Sequence, residues 1–176
     1  MRLTRNSVLK TARFAGMVQR YHTWPTIKQQ SVGEHSWQMM RIWYAIWGKM
    51  PPDVSSYILW HDAGELVTGD PPFPFKSKNT ELKALFDIQE NAAVRDMGGE
   101  VTPLSSYQLV LVKVCDILEM WEFGLVELKM GNVLAQPIIE DTRNAVESKY
   151  DTILKPDDTL LIQKYMKSVY ANHSLY

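Results

Sequence analysis

Apolar residues recur at helical spacing through much of this chain, and this periodicity constrains the fold more than any other feature. In one stretch Met39, Trp43, Ile46 and Trp47 share a helical face, and Pro51 follows where that helix must end. No alternating apolar and polar segment is long enough to predict a sheet. With 176 residues and 45% hydrophobic content, the chain can bury a real core. We therefore expect an all-α fold.

Gly and Pro residues divide the sequence into helices, and we expect these helices to form a single domain, residues 1–176. The predicted helices span residues 7–19, 34–49, 53–67, 79–97, 105–130, 141–150 and 156–172. A proline-rich stretch, "GDPPFPFKSK", is predicted as a loop. It directly follows the predicted helix 53–67.

Charge and cysteine content exclude several classes of protein. The formal net charge of −1 gives no support for a binder of nucleic-acid polymers. The lone Cys115 cannot form an internal disulfide and indicates a reducing compartment. The longest apolar runs, such as residues 42–47, are too short to cross a bilayer. We therefore expect a cytoplasmic protein without a membrane partner.

The dipeptide His61-Asp62 places two ionisable groups in an apolar stretch that predicts a core helix. On a helix these side chains would point about 100° apart, so a shared centre would lie at the helix flank and need further ligands. His35 and Asp116 are candidates, since a bare carboxylate in an apolar segment is costly to bury. Two imidazoles and two carboxylates suit a divalent transition metal with open positions. Glu65 follows one turn later, where it can exchange a proton with an attacking water.

Structural roles are the alternatives for the same residues. His35 could cap a helix, and Asp116 could pair with Lys113 or Arg20. His-Asp dipeptides also arise by chance. The ordered set of these residues on separate predicted helices favours the metal site.

Four phrases, "SVGEHSW", "HDAGELVTGDPPFPFK", "LVKVCD" and "ELKMGN", carry a family resemblance that extends from Arg20 to Asn132. The sequence resembles the HD superfamily of metal-dependent phosphohydrolases. Within it, the sequence is most similar to the YfbR-like 5′-deoxynucleotidases and the small phage-encoded dATP triphosphohydrolases. "HD" alone is a weak signal, whereas the pattern "HDxxExxTGDxPxPxK" is specific. The resemblance implies a helical bundle that holds a metal between helices.

The resemblance also implies roles for the candidate residues. His35, His61, Asp62 and Asp116 match the four metal ligands, and Glu65 matches a proposed general acid or base. The implied cofactor is one divalent transition metal, for which manganese, cobalt, zinc, iron and nickel are alternatives. A further divalent ion bound with the substrate phosphates is an additional expectation.

Further positions match residues that contact the substrate in the family: Arg20, Tyr21, Trp24, Asp70, Pro74 and Lys76. Arg20 corresponds to a phosphate-binding arginine, Lys76 could neutralise phosphate charge, and Asp70 corresponds to a residue that hydrogen-bonds the sugar. Relatives commonly read Arg-Trp-Pro where this chain reads "RYHTWP". Either Tyr21 stacks on the base, which needs no gap in the alignment, or Trp24 does. The alternatives are a turn-capping role for Asp70 and a core or lid role for the aromatic residues.

The implied reaction is hydrolysis of the 5′-phosphoester of a deoxynucleotide. The short gap from Asp62 to Asp116, the chain length and several basic residues favour a phage-type dATP triphosphohydrolase that edits the dNTP pool. A phage-encoded enzyme would work in the host cytoplasm. Thr23 argues against the phage-type triphosphohydrolase. In the phage enzymes that the chain resembles, a bulky aliphatic residue at this position would exclude a base with a 2-amino group. The alternatives are a 5′-deoxynucleotidase acting on dNMPs, a hydrolase of another phosphoester and a nucleotide-binding HD module without turnover. We also expect a homo-oligomer.

Overall fold

A computed structural model describes residues 11–71 and 79–174 of the chain. Most of these residues are helical, and two strands of two residues each form the sheet found among them. The helices are α1 (Val32–Trp47), α2 (Pro52–Trp60), α3 (Glu65–Thr68), α4 (Thr80–Asp96), α5 (Ser106–Lys129), α6 (Gln136–Asn144) and α7 (Pro156–Ser174). Residues 11–15 are also helical, Val133–Ala135 form a 3-10 turn, and Ala145–Tyr150 form a π-helical segment. The predicted helical fold class is confirmed.

The chain divides into two compact units. The first contains the described residues of Met1–Pro25, Gln29–Trp37 and Ser55–Pro103, and the second contains Thr26–Lys28, Gln38–Val54 and the described residues of Leu104–Tyr176. The expectation of a single catalytic domain stays a prediction. No helix in the described ranges is long and apolar enough to cross a membrane.

In the first unit, strands β1 (Gln19–Arg20) and β2 (Gln30–Ser31) pair antiparallel, with Arg20 opposite Gln30. The backbone beside the pair stays close, since the Gly33 N–H donates to the Gly16 carbonyl at 3.0 Å. A Cβ on Gly33 would lie 2.9 Å from that carbonyl oxygen, so glycine is required there. Ser31 Oγ then accepts the Glu34 N–H at 3.2 Å, which caps the start of α1.

A small apolar cluster also belongs to the first unit. Its buried members are Ala15, Ala63, Val94 and Met97. Trp60 packs against them, and a Cβ on Gly99 would lie 2.5 Å from the Trp60 ring. This cluster anchors α4 beside the segment that carries the His-Asp dipeptide.

Helix α5 supplies more buried hydrophobic residues to the second unit than any other helix. It begins with a capping box, in which Ser105 Oγ accepts the Gln108 N–H and the Gln108 side chain accepts the Ser105 N–H. Its buried residues recur on more than one face, as in a helix surrounded by others. Gly124 allows α6 to approach closely, since a Cβ there would lie 2.9 Å from Ile139 Cγ1.

A polar network in the second unit connects α1, α5 and α7. Arg41 Nη2 and the Tyr165 hydroxyl both donate to the carboxylate of Glu122, and Arg41 Nη1 donates to the Tyr165 oxygen at 3.2 Å. Burial and the neighbouring Glu122 raise the pKa of Tyr165 above its ordinary value. Tyr165 therefore keeps its proton and stays a hydrogen-bond donor.

Three predicted helices differ most from the structure. The helix predicted over 53–67 is broken, because residues 61–64 form a turn in which Glu65 N–H bonds Asp62 O at 3.0 Å instead of the carbonyl four residues back. The described part of the helix predicted over 7–19 ends at residue 15, and Gln19 lies in β1. The helix predicted to start at residue 141 begins at Gln136, with Pro137 in its first turn, where a missing N–H costs nothing.

Candidate metal centre

Three predicted ligands of the first unit come together around one point. His35 is fully buried in α1, while His61 and Asp62 lie in the turn between α2 and α3. One ligand atom from each residue lies within 4.8 Å of the others. Asp62 Oδ2 is 3.2 Å from His61 Nε2 and 3.6 Å from His35 Nε2. The turn, rather than a helix flank, brings the adjacent side chains His61 and Asp62 together.

The orientation of His61 is set by contacts with α2, the helix that precedes it. Its Nδ1 lies 2.8 Å from the carbonyl oxygen of Ile58, and its ring stacks on Tyr57 with centroids 6.2 Å apart. A carbonyl only accepts, so Nδ1 carries the hydrogen in this bond. Nε2 faces Asp62 Oδ2 at 3.2 Å and is the ring nitrogen that could bind a metal once it carries no proton.

Arg20 adds a positive charge to the same cluster. Its Nη1 donates to Asp62 Oδ2 at 3.2 Å, and the arginine is only 9% exposed. Burial alone would raise the pKa of Asp62, but His61, His35 and Arg20 outweigh it and hold that pKa well below its ordinary value. Asp62 is therefore an ionised acceptor at neutral pH.

The donor chemistry of the cluster fits a divalent transition metal. Two imidazole nitrogens and one carboxylate oxygen are ligands that zinc, manganese, iron, cobalt and nickel accept. The Asp62 side chain is 22% exposed while His35 is fully buried, so the group can be reached from the Asp62 side. Arg20 supports the carboxylate from outside the ligand set, as outer partners of metal ligands commonly do.

Glu65 begins α3 and is 2% exposed. Its backbone N–H bonds the carbonyl oxygen of Asp62, so the short helix continues directly from the turn that holds two of the candidate ligands. A buried carboxylate in this segment is in keeping with the predicted role in proton transfer. That role stays a prediction.

Tyr21 and Asp70 are in contact in the structure. Tyr21 has a φ of 56°, a left-handed conformation that is uncommon for a residue with a side chain, and its N–H donates to Asp70 Oδ2 at 3.4 Å. The Arg20 guanidinium lies 5.4 Å from the Tyr21 ring centroid. Trp24, the other candidate for base stacking, is 40% exposed. Both aromatic residues keep their predicted roles as alternatives.

The remaining predicted residues are Asp116, Pro74 and Lys76. Asp116 belongs to α5 in the second unit, where its carboxylate accepts a hydrogen bond from Lys113. Its role as a fourth ligand stays a prediction. Pro74 and Lys76 lie outside the described residues.

Sequence reasoning missed the contact between Glu90 and the segment of the candidate site. Thr68 Oγ1 donates to Glu90 Oε1 at 2.8 Å, and a Cβ on Gly64 would lie 2.5 Å from Glu90 atoms. The sequence shows Gly64 and Thr68 on either side of Glu65. No motif or spacing links these two residues to Glu90, which lies more than twenty positions later in the chain.

The mostly helical fold is of the HD type. The cyanophage S-2L HD phosphohydrolase DatZ, solved bound to dA and one catalytic Zn²⁺ ion, is similar with a TM-score of 0.66 and 20% sequence identity. The superposition covers 97% of this chain and 99% of that one. A sequence model of the family described as 5′-deoxynucleotidase YfbR-like matches residues 11–169, and the chain belongs to this family.

Three curated relatives are similar over part of the chain. A dATP triphosphohydrolase of Salmonella phage PMBT28 is 31% identical over 121 residues, which is 60% of this chain and 59% of that enzyme. The 5′-deoxynucleotidase PM0747 of Pasteurella multocida is 24% identical over 66% of this chain and 71% of its own length. The 5′-deoxynucleotidase of Cronobacter sakazakii is 26% identical over 76% of this chain and 82% of its own length. The predicted family, a family of enzymes, is thereby confirmed.

Proposed function

We propose that this protein hydrolyses the 5′-phosphoester of a deoxynucleotide to release a deoxynucleoside, with dATP, cleaved to deoxyadenosine and triphosphate, as the favoured substrate. The observation that carries the proposal is the convergence of His35, His61 and Asp62 on one point, with Arg20 bonded to the carboxylate. Imidazole and carboxylate donors of this kind are what a metal-assisted hydrolase needs.

His35, His61 and Asp62 would hold the metal through Nε2, Nε2 and Oδ2, and we keep Asp116 as the proposed fourth ligand. A divalent ion bound there supplies a water of lowered pKa and polarises the phosphoryl oxygens. Zinc is the first candidate, since the similar cyanophage protein was solved with a catalytic Zn²⁺ ion. Manganese, cobalt, iron and nickel remain candidates on donor chemistry, and a second divalent ion could accompany the phosphates.

The protein's own groups would bind the phosphate and move the proton. The guanidinium of Arg20 has five N–H donors, so it can hold Asp62 and still offer donors to a phosphoryl oxygen. Glu65 would take the proton of the attacking water or give one to the leaving 5′-oxygen, and a buried carboxylate suits that exchange.

The sugar and the base would be bound beside the contact between Tyr21 and Asp70. The Asp70 carboxylate accepts one hydrogen bond from the Tyr21 N–H, and its other lone pairs can accept a hydrogen bond from a 3′-hydroxyl. Tyr21 or Trp24 would stack on the base, and we extend the pocket to Pro74 and Lys76 on family resemblance alone. A compact deoxyribose beside Asp70 is the substrate class that this arrangement favours.

Two observations favour different phosphate lengths. The phage relative is a dATP triphosphohydrolase, and the cyanophage structure contains dA. The family description and both bacterial relatives are 5′-deoxynucleotidases, which makes hydrolysis of dNMPs the second candidate function. The ligand set is compatible with both, since both reactions cleave a bond to the 5′-oxygen.

Product analysis tests the proposal. The zinc- or manganese-loaded protein is incubated with dATP and, separately, with dAMP, and deoxyadenosine, phosphate and triphosphate are resolved by anion-exchange chromatography. Release of intact triphosphate from dATP supports the first candidate, and phosphate from dAMP alone supports the second. Glu65→Ala should lower the rate by about 10²–10⁴-fold, as loss of a general acid or base does. Inactivity of the wild-type protein on both substrates would refute the proposed function.

A further inference from the structure

Helix α3 contains only four residues, Glu65–Thr68, yet it carries the proposed proton-transfer group. One helical turn is unstable alone, because nucleation fixes several residues for a single hydrogen bond. The orientation of Glu65 must therefore depend on contacts from another element. Helix α4 supplies these contacts.

Glu90 in α4 contacts both ends of this short helix. At the first end, a Cβ on Gly64 would lie 2.5 Å from the Cα, Cβ and carbonyl oxygen of Glu90, so the two backbones lie directly against each other. At the other end, Thr68 Oγ1 donates to Glu90 Oε1 at 2.8 Å. A single residue thus contacts the residue that precedes α3 and the last residue of α3.

The bond between Thr68 and Glu90 competes with a local one. Thr68 Oγ1 also lies 3.0 Å from the carbonyl oxygen of Gly69, and a hydroxyl has one hydrogen to donate. The carboxylate is the stronger acceptor and the closer one, so the contact to Glu90 dominates. The hydroxyl therefore ties the end of α3 to α4 rather than to its own loop.

We propose that Glu90 is a positioning residue for the reaction: through Thr68 and Gly64 it holds α3, and with it the Glu65 carboxylate, in the orientation that proton transfer requires. This inference rests on the proposed function. Glu90 acts through the backbone and Thr68 and touches no reacting atom. Because reaction rates are sensitive to misplacements of about 1 Å, loss of this contact should lower kcat about 10- to 100-fold. KM should stay within about twofold, since the proposed nucleotide contacts are made by other residues.

Matched variants separate positioning from bulk stability. Glu90→Ala and Thr68→Val each remove the hydrogen bond and should lower kcat. Glu90→Gln and Thr68→Ser keep an acceptor oxygen and a hydroxyl, so both should retain activity. If the two residues act as a unit, the Glu90→Ala, Thr68→Val double variant is no slower than the slower single variant. Asp87→Ala, which removes an exposed carboxylate paired with Lys83 on the same helix, is the control and should keep the wild-type kcat.

Steady-state kinetics on dATP and dAMP, far below the thermal midpoint of each variant, decide the outcome. If Glu90→Ala does not fold, Thr68→Val carries the same test. Lower kcat with unchanged KM and rescue by Glu90→Gln would support the inference. A lower thermal midpoint with unchanged kcat, or a raised KM alone, would overturn the inference and leave the proposed function intact. An inactive wild-type protein would overturn both.

Discussion

Truncation of Glu127 should destabilise the second unit by an amount that the structure allows us to work out. Glu127 lies in α5 and is 1% exposed. Its carboxylate accepts three hydrogen bonds of 2.7 Å, from the backbone N–H groups of Ile27 and Lys28 and from the side chain of Asn132. The motif "ELKMGN" thereby fastens the segment Thr26–Lys28 to α5.

Glu127→Ala leaves two backbone N–H groups and one amide without their acceptor. A donor left unsatisfied costs about 1–3 kcal/mol when buried. Ile27 and Lys28 are exposed side chains on a surface segment, so water can reach their N–H groups in the variant and the lower figure applies. Three donors at about 1 kcal/mol each predict a loss of about 3 kcal/mol in the free energy of unfolding.

The loss should depend on pH. Burial raises the pKa of Glu127, but the hydrogen bonds from Asn132, Ile27 and Lys28 outweigh it and hold that pKa below its ordinary value of 4.5. A lowered pKa in the folded state stabilises the protein above the unfolded pKa, and this stabilisation disappears as the pH falls through the folded one. The free energy of unfolding of the wild type should therefore exceed that of Glu127→Ala by more at about pH 7 than at about pH 3.

Urea unfolding at both pH values measures the effect, with Glu140→Ala as the matched control. Glu140 is an exposed carboxylate in α6 that bonds Gln136, and its loss should change stability by less than about 0.5 kcal/mol. Glu127→Gln should lie between wild type and Glu127→Ala, because its amide keeps one acceptor oxygen. If Glu127→Ala and Glu140→Ala unfold at the same urea concentration, the reasoning is refuted.

Two further substitutions test the first unit. Gly64→Ala should destabilise the protein by about 1–3 kcal/mol and lower kcat, because its Cβ would meet the Glu90 backbone at 2.5 Å. Thermal melts and steady-state kinetics check this prediction, and a thermal midpoint equal to that of the wild type would contradict it. Arg20→Lys should keep the charge near Asp62 but lose the planar fork, so KM for dATP should rise about 10-fold; an unchanged KM would argue against phosphate binding by Arg20.

The sequence predicted those parts of the fold whose causes are local. Helix α5 was predicted to within one residue at each end, because the capping box at Ser105 and a long apolar run act over a few positions. The pairing of β1 and β2 was not predicted, since strands of two residues leave no alternating pattern. The close approach of Gly16 and Gly33 beside it joins residues that are distant in sequence.

The candidate site shows the same division. The grouping of His35 with His61 and Asp62 was predicted, because their motifs are specific. The turn at residues 61–64 was not predicted, since apolar periodicity continues through it and its Gly64 lies against Glu90, a residue distant in sequence.

The central claim is that His35, His61 and Asp62 hold a metal that hydrolysis needs. To test it, wild type and Asp62→Ala are stripped of metal with a chelator, and deoxyadenosine release is measured before and after Zn²⁺ or Mn²⁺ is returned. Removal of the Asp62 carboxylate takes away the atom on which His35 and His61 converge. We expect that stripped wild type is inactive, that metal restores turnover, and that Asp62→Ala stays inactive and binds the ion more weakly. Equal turnover by stripped and reloaded wild type, or full activity in Asp62→Ala, would contradict it.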